Sequence, residues 1–297
     1  MKHLGRLVRL SLFPSAVADA ACGVVLGAAL WPAGPAPWLM IASSLGVYHG
    51  GMALNDWADR ELDARERPDR PIPSGAIRPG AALALALFLL VGGVACALAA
   101  DPVVGLVMTG VAAAAVVYDL AGRGAWRGPL LLGLCRAGNL GAAALLGARA
   151  VGVEPDHLVA PALLYGAYVF VVSRLGRMED AEDDAALGQR PTALLLVAAA
   201  FLCLAAFVPF HDTWPNFAVR VALGVGAAIS LYRGAEPRLP WTRPRVMRSM
   251  GLALRRLLVF PVLFALSAPG VVGFVVGGLT LLGWPISARL RKVFPPS

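Results

Sequence analysis

Apolar runs of roughly 17 to 22 residues follow one another along nearly the whole chain, which is the length a helix rising about 1.5 Å per residue needs to cross a hydrocarbon core of about 30 Å. With 297 residues, 58% hydrophobic and only 15% charged, the chain carries more apolar surface than a soluble domain of this size can bury. The solvent it is built for is therefore lipid. The pattern predicts an all-α integral membrane protein with spans near 10–31, 36–56, 79–100, 103–120, 128–148, 158–178, 191–210 and 216–234. The terminal region 246–287 is interrupted by Arg255, Arg256, Pro261 and the pair Pro269–Gly270, and reads either as one span plus a short segment or as a tight hairpin of two. No stretch reads as a separate soluble domain, so residues 1–297 are expected to form one transmembrane domain.

A formal charge of +8 would point to nucleic acid in a soluble protein. Here the basic residues sit in short loops between spans, so the pattern reports topology and no nucleic-acid partner is expected. Alternating the loops gathers most Lys and Arg on one side, which places the N-terminus and the loop holding Arg60, Arg65, Arg67, Arg70 and Arg78 in the cytoplasm of an inner or plasma membrane. Arg289, Arg291 and Lys292 prefer the same side, favouring an even number of crossings. Cys22, Cys96, Cys135 and Cys203 fall in four different apolar runs and read as buried, reduced thiols. The basic segment before residue 10 precedes a run long enough to span, so it reads as the lead into a retained helix and not as a signal peptide.

The second span runs into Asn55-Asp56-Trp57-Ala58-Asp59-Arg60-Glu61-Leu62-Asp63. On a helix, Asp56, Asp59 and Asp63 share one face, and their repulsion at a membrane boundary calls for a cation between them. The sixth span runs into Glu179-Asp180-Ala181-Glu182-Asp183-Asp184, with Asp180 and Asp184 at i and i+4 on the same expected side. Oxygen donors without Cys or His neighbours suit Mg²⁺, which takes few carboxylates per ion and completes its shell with water and phosphate. The first cluster continues into a proline-pinned loop, residues 64–75, that holds guanidiniums near the carboxylates. Arg67 and Arg70 are its candidates for phosphate contact.

The string N-D-W-A-D-R-E-L-D followed by R-P-D-R-P-I-P-S-G resembles the first signature of UbiA-type prenyltransferases. Residues 179–188 are similar to the second, with Asp183 where glycine is usual, and Arg177 stands where that family often has an acid. Tyr118-Asp119-Leu120-Ala121-Gly122-Arg123 resembles a tyrosine-containing basic loop, with Arg123 in place of lysine. Phe13 to Asp19 and Gly133 to Leu140 are similar to the EboC-like branch. The resemblance implies a bundle of about nine transmembrane helices around a central cavity. It also implies a transferase in which an isoprenyl diphosphate is held through Mg²⁺ by Asp56, Asp59, Asp63, Asp180 and Asp184, with Asn55, Arg67, Arg70, Tyr118 and Arg123 contacting substrate. The expected partners are the prenyl diphosphate, a hydrophobic or aromatic acceptor, and membrane lipid.

Ionisable groups inside spans select Asp19, His49 and Arg136. Asp19 and Arg136 either bind an acceptor or pair with each other. Asn139, one turn past Arg136, extends that polar surface, and His49 either lines an acceptor pocket or is a hydrogen-bonded structural histidine. A transporter would also use intramembrane Asp19 and Arg136, and a non-catalytic lipid-binding relative would keep the same fold. The clustering of acids at one face and the intact set of carboxylates favour the enzyme.

Overall fold

A computed structural model of the chain describes residues 2–121, 124–180, 184, 187–208 and 213–294, with the side chain of Asp180 outside that description. Its helices are α1 (Lys2–Leu7), α2 (Phe13–Ala28), α3 (Ala36–Ala58), α4 (Arg60–Glu66), α5 (Pro79–Ala100), α6 (Pro102–Ala121) and α7 (Arg127–Val151). The second half continues with α8 (Val159–Gly176), α9 (Arg190–Phe207), α10 (Trp214–Ala235), α11 (Arg243–Arg255), α12 (Val259–Ala265), α13 (Val271–Leu281) and α14 (Gly283–Val293). There are no strands among the described residues.

Proline opens most of the long helices, at Pro14, Pro37, Pro79, Pro191 and Pro215, where its fixed φ fits the first turn and its missing N–H is no loss. Among the described residues eight helices are long and apolar enough to cross a membrane. The 23-residue α3 is as long but is interrupted by Ser43, Ser44, Tyr48, His49 and Asn55, because one of its faces meets a polar interior and not lipid. The α3 helix packs among these eight, and the protein is an integral membrane protein. Phe88, Val91, Leu106, Trp214 and Val271 are all more than two-thirds exposed, as side chains facing lipid are expected to be.

The helices pack mainly as two large apolar clusters, with a small third one of Cys22, Val25, Ala265 and Ala268. One is built from α2, α3, α5, α6 and α7, with Met40, Leu90 and Met108 at its centre. The other joins α7 and α8 to α9, α10, α11 and α12 through Tyr165, Tyr168, Leu202 and Phe260. The α2–α7 crossing is closest where Gly27 and Gly147 meet. A Cβ on Gly27 would fall 1.8 Å from the Ala144 carbonyl oxygen, and one on Gly147 would fall 2.2 Å from that of Val24. Membrane helices gain packing by such approach of small residues, since lipid tails offer no hydrophobic drive to separate them from.

The terminal region forms the hairpin. Arg243 to Ala265 is a broken helix running alongside α8, with Met250 against Gly176 and the Tyr168 hydroxyl donating to the Ala253 carbonyl at 2.7 Å. The chain turns at residues 266–270, held by Asn216 Nδ2 donating to the Ala268 carbonyl at 2.8 Å. It then returns through α13 and α14 to residues 10–12, where Ser287 donates to the Ser11 carbonyl at 2.7 Å. The return carries Arg289, Arg291 and Lys292 to the side where the N-terminal turn lies. At the opposite end, Asp101 is joined to Arg149 at 2.8 Å. Slight burial, which acts to raise its pKa, is outweighed by the bonds from Arg149 and the Val103 and Val104 amides, so the carboxyl titrates below its usual range.

Candidate active site

Between the two clusters lies a cavity of about 1160 Å³, walled mostly by apolar side chains from α2, α3, α6, α7, α8, α10, α12 and α14. Its volume exceeds that of ordinary small-molecule pockets, about 300 to 1000 Å³, and suits a long chain or two ligands side by side. The polar groups on its wall include Tyr48, Asn55, Tyr118, Asp119, Arg136 and Asn139.

At the end of α3 the backbone kinks at Asp59, whose N–H still bonds the Asn55 carbonyl at 3.0 Å while its own carbonyl accepts from Asp63 at 2.8 Å. Asp56 and Asp63 thereby stay on one face, as their spacing predicts, and both are buried. The compensating cation is Arg70, itself buried, which donates through Nη1 to Asp63 Oδ2 at 2.5 Å and lies 3.6 Å from Asp56 Oδ1. A second arginine completes the arrangement. Arg9 sits in the left-handed region at φ 49°, and its Nη2 reaches Asp56 Oδ1 at 3.1 Å and Asn55 Oδ1 at 3.4 Å. Asn55 passes the chain on, donating to Asp119 Oδ1 at 2.9 Å. Arg67 is exposed on its loop, Asp59 is half-buried, and Tyr118 is half-buried on the cavity wall.

The second acidic stretch differs from its sequence reading. The α8 helix ends at Gly176, residues Arg177–Asp180 form one 3-10 turn, and Asp184 lies in a bend. The α8 helix thus stops before the acids, and residues 181–183 between Asp180 and Asp184 lie outside the described residues. Five acids in six residues repel one another along a helix, and the Asp184 carboxylate finds a better donor, accepting the Arg243 backbone N–H at 2.9 Å at the start of α11. Arg123 lies outside the described residues.

Deeper in the bundle, Asp19 is fully buried at the centre of a network. Its Oδ2 accepts from Arg136 Nη1 at 2.7 Å and Asn139 Nδ2 at 3.2 Å, and its Oδ1 accepts from the Tyr165 hydroxyl at 2.8 Å. Arg136 also donates to Ser15 Oγ at 3.1 Å and lies 4.9 Å from the Tyr48 ring centroid. Asn139 donates to Ser44 Oγ at 2.8 Å, and Ser44 donates to the Ala16 carbonyl. Of the two options for Asp19 and Arg136, the structure has them paired, with the open side of Arg136 and Asn139 on the cavity wall. His49 is absent from that wall. Its Nδ1 lies 2.6 Å from the Val8 carbonyl oxygen, which fixes the backbone immediately before Arg9.

Arg9, Asp119 and Tyr165 were not singled out by sequence. Asp119 had a usable signal, being an acid within an apolar span. Arg9 had none, since its role depends on a left-handed turn that brings it to residues nearly fifty positions away.

The donors fit a hard divalent cation, since they are oxygens without thiolate or imidazole and Asp56 Oδ2 is a buried oxygen with no hydrogen-bond partner. Among the described residues no three acids converge closely enough to cage an ion by themselves, which is consistent with an ion that keeps waters and binds through phosphate.

The comparisons with known proteins agree with this architecture. The chain is 36% identical over 179 residues to the digeranylgeranylglyceryl phosphate synthase of Methanopyrus kandleri, covering 59% of this chain and 64% of that protein. It is 34% identical over 195 residues to the bacteriochlorophyll synthase 33 kDa chain of Cereibacter sphaeroides, covering 61% and 63%. The chain thus spans just under two-thirds of the length of these two relatives. A solved UbiA homologue from Archaeoglobus fulgidus, bound to GPP and Mg²⁺, shares the fold with a TM-score of 0.62 at 16% identity, over 93% of this chain and 99% of that one. Residues 17–250, well over half the sequence and including the acidic end of α3 and the cavity-lining helices through α10, match the UbiA prenyltransferase family, to which this chain belongs.

Proposed function

We propose that the protein transfers an isoprenyl group from a prenyl diphosphate to a hydrophobic or aromatic acceptor inside the cavity, with release of diphosphate and with Mg²⁺ as cofactor. The active site faces the cytoplasm in this reading, following the placement of basic loops. The observation that carries it is the polarity of the chamber: the wall of an apolar volume of about 1160 Å³ includes Arg9, Asn55 and Asp119, and Arg9 links that wall to the buried Asp56, Asp63 and Arg70 behind it. A lipid-like substrate with a charged head has the same polarity. Support also comes from family membership and from the solved relative that holds GPP and Mg²⁺.

Asp56, Asp59 and Asp63 at the end of α3, with Asp180 and Asp184 beyond α8, are the residues that would hold the cation. When bound, it would offset the negative charge growing on the departing diphosphate. Arg9 and Arg70 hold the carboxylates of the first cluster close together without mutual repulsion and offer N–H donors toward phosphate oxygens. The apolar wall, including Val47, Met52, Val111 and Leu132, keeps water from an electron-poor allylic carbon until the acceptor reaches it. Asp119 is the one acid on the cavity wall among the described residues, placed to take the proton the acceptor gives up. The features that suited a transporter are otherwise used: both Asp19 oxygens and Arg136 are engaged with each other, Asn139 and Tyr165.

The test is diphosphate release by purified protein given geranyl diphosphate and a panel of acceptors, with Mg²⁺ or EDTA, beside Asp56→Ala and Asp180→Ala. Release that requires Mg²⁺ and an acceptor and is lost in both variants supports the reading. Equal background in all three proteins, with no Mg²⁺-dependent prenyl diphosphate binding, removes it.

A further inference from the structure

Among the described residues the cavity wall carries five arginines, Arg9, Arg136, Arg255, Arg256 and Arg291, against a single acid, Asp119. Arg9 is paired with Asp56 at 3.1 Å and Arg136 with Asp19 at 2.7 Å. Arg255, Arg256 and Arg291 meet no carboxylate among the described residues, and all three belong to the terminal hairpin, outside the residues matched to the family. Uncompensated guanidiniums on the wall of a membrane-embedded chamber are costly unless an anion joins them.

The pair is held in place by neutral groups. Arg256 donates to Ser230 Oγ at 2.7 Å and to the Leu252 carbonyl at 3.3 Å. The Arg255 carbonyl accepts from the Trp284 indole at 2.9 Å, which ties α14 to the same wall, while Arg291 stands one turn past Ser287, on the side of the N-terminal turn that carries Arg9. The flanking residues Ala253 and Leu257 are tied to the hydroxyls of Tyr168 and Tyr165 on α8. Those tyrosines lie eight and eleven residues before Gly176, so the arginine pair is about 12 to 16 Å down the bundle from where the second acidic stretch begins. A diphosphate held at the acidic ends does not sit against both places, and the donor alone does not account for these charges.

We infer that Arg255 and Arg256 form a second anion site within the cavity, which seats a phosphate or carboxylate carried by the acceptor while the acceptor's apolar body lies along α10 and α12. The existence of the anion site is independent of catalysis, and its assignment to the acceptor rests on the transferase reading.

The probes are dodecyl phosphate and dodecanol, bound at equilibrium to the full chain in nanodiscs of zwitterionic lipid, with wild type compared to Arg255→Gln/Arg256→Gln and Arg255→Lys/Arg256→Lys. Because each charge-assisted bond to phosphate outweighs a neutral one, wild type is expected to prefer dodecyl phosphate by roughly ten-fold or more. The Gln pair should lose that preference, the Lys pair should keep most of it, and saturating geranyl diphosphate with Mg²⁺ should leave it intact. Equal binding of both probes overturns the inference, as does complete displacement by geranyl diphosphate, which would assign the arginines to the donor. Loss of the preference when phosphatidylglycerol is added to the nanodisc would assign the site to bilayer lipid and overturn the acceptor claim. Dodecyl phosphate binding that behaves as expected in a protein that releases no diphosphate with any acceptor would leave the anion site standing and remove the transferase reading instead.

Discussion

Arg70 donates to Asp63 at 2.5 Å with both side chains buried, and the same nitrogen lies 3.6 Å from Asp56. One guanidinium therefore offsets two carboxylates. Removing it in Arg70→Ala takes the 2.5 Å donor from Asp63 and leaves Asp56 with Arg9, and losing one partner of a buried ion pair costs about 3 to 5 kcal/mol. In detergent the variant is expected to melt well below wild type in EDTA and to recover part of the difference in Mg²⁺. Equal gains from Mg²⁺ in the two proteins would show that cation and arginine do not serve the same carboxylates.

Asp19 serves three donors at once. Asp19→Asn leaves Arg136 buried without its counter-ion, again a loss of about 3 to 5 kcal/mol, whereas Asp19→Asn combined with Arg136→Gln removes both charges. Melting midpoints of the two single variants and the double should show the double less destabilised than the sum. Additive losses would mean the network is not coupled through that pair.

His49 acts on the site through the backbone. His49→Ala removes the bond to Val8, worth about 1 kcal/mol, and frees the left-handed turn that aims Arg9. Affinity for geranyl diphosphate with Mg²⁺ is expected to fall in both His49→Ala and Arg9→Ala, with the two together no worse than Arg9→Ala alone. An independent further loss in the double variant would separate the two residues.

The α2–α7 crossing has no room for a methyl group. Gly27→Ala puts a carbon where the Ala144 carbonyl already is, so folded yield after membrane extraction should drop sharply. Gly92→Ala on α5, where a Cβ meets nothing within 4 Å, should fold as well as wild type or slightly better. Equal yields would argue that α2 and α7 separate easily.

The spans from α5 to α10 were legible because their apolar lengths match the bilayer and their ends carry proline or charge. The terminal hairpin was ambiguous because Arg255 and Arg256 look like a loop when they in fact face a cavity, a distinction that depends on neighbours far away in sequence. In the site, Asp56 and Asp63 could be placed on one face by helical spacing alone, and the proline-rich loop pointed to Arg70. The end of α8 at Gly176 was not legible because apolar length alone does not fix where a helix stops before a run of acids. Arg9 stayed hidden because nothing local distinguishes it from other basic residues near the N-terminus.

The bond from Ser287 to the Ser11 carbonyl joins segments that leave the ribosome more than 270 residues apart. The acids of α3 are inserted early, but the wall opposite them arrives only with residues 283–293. Until then the nascent chain has an open groove and no chamber. Chemistry that depends on shielding a reactive carbon from water is thus withheld from every incomplete copy, and a chain that stops before α14 should be inert even with each of its carboxylates in place.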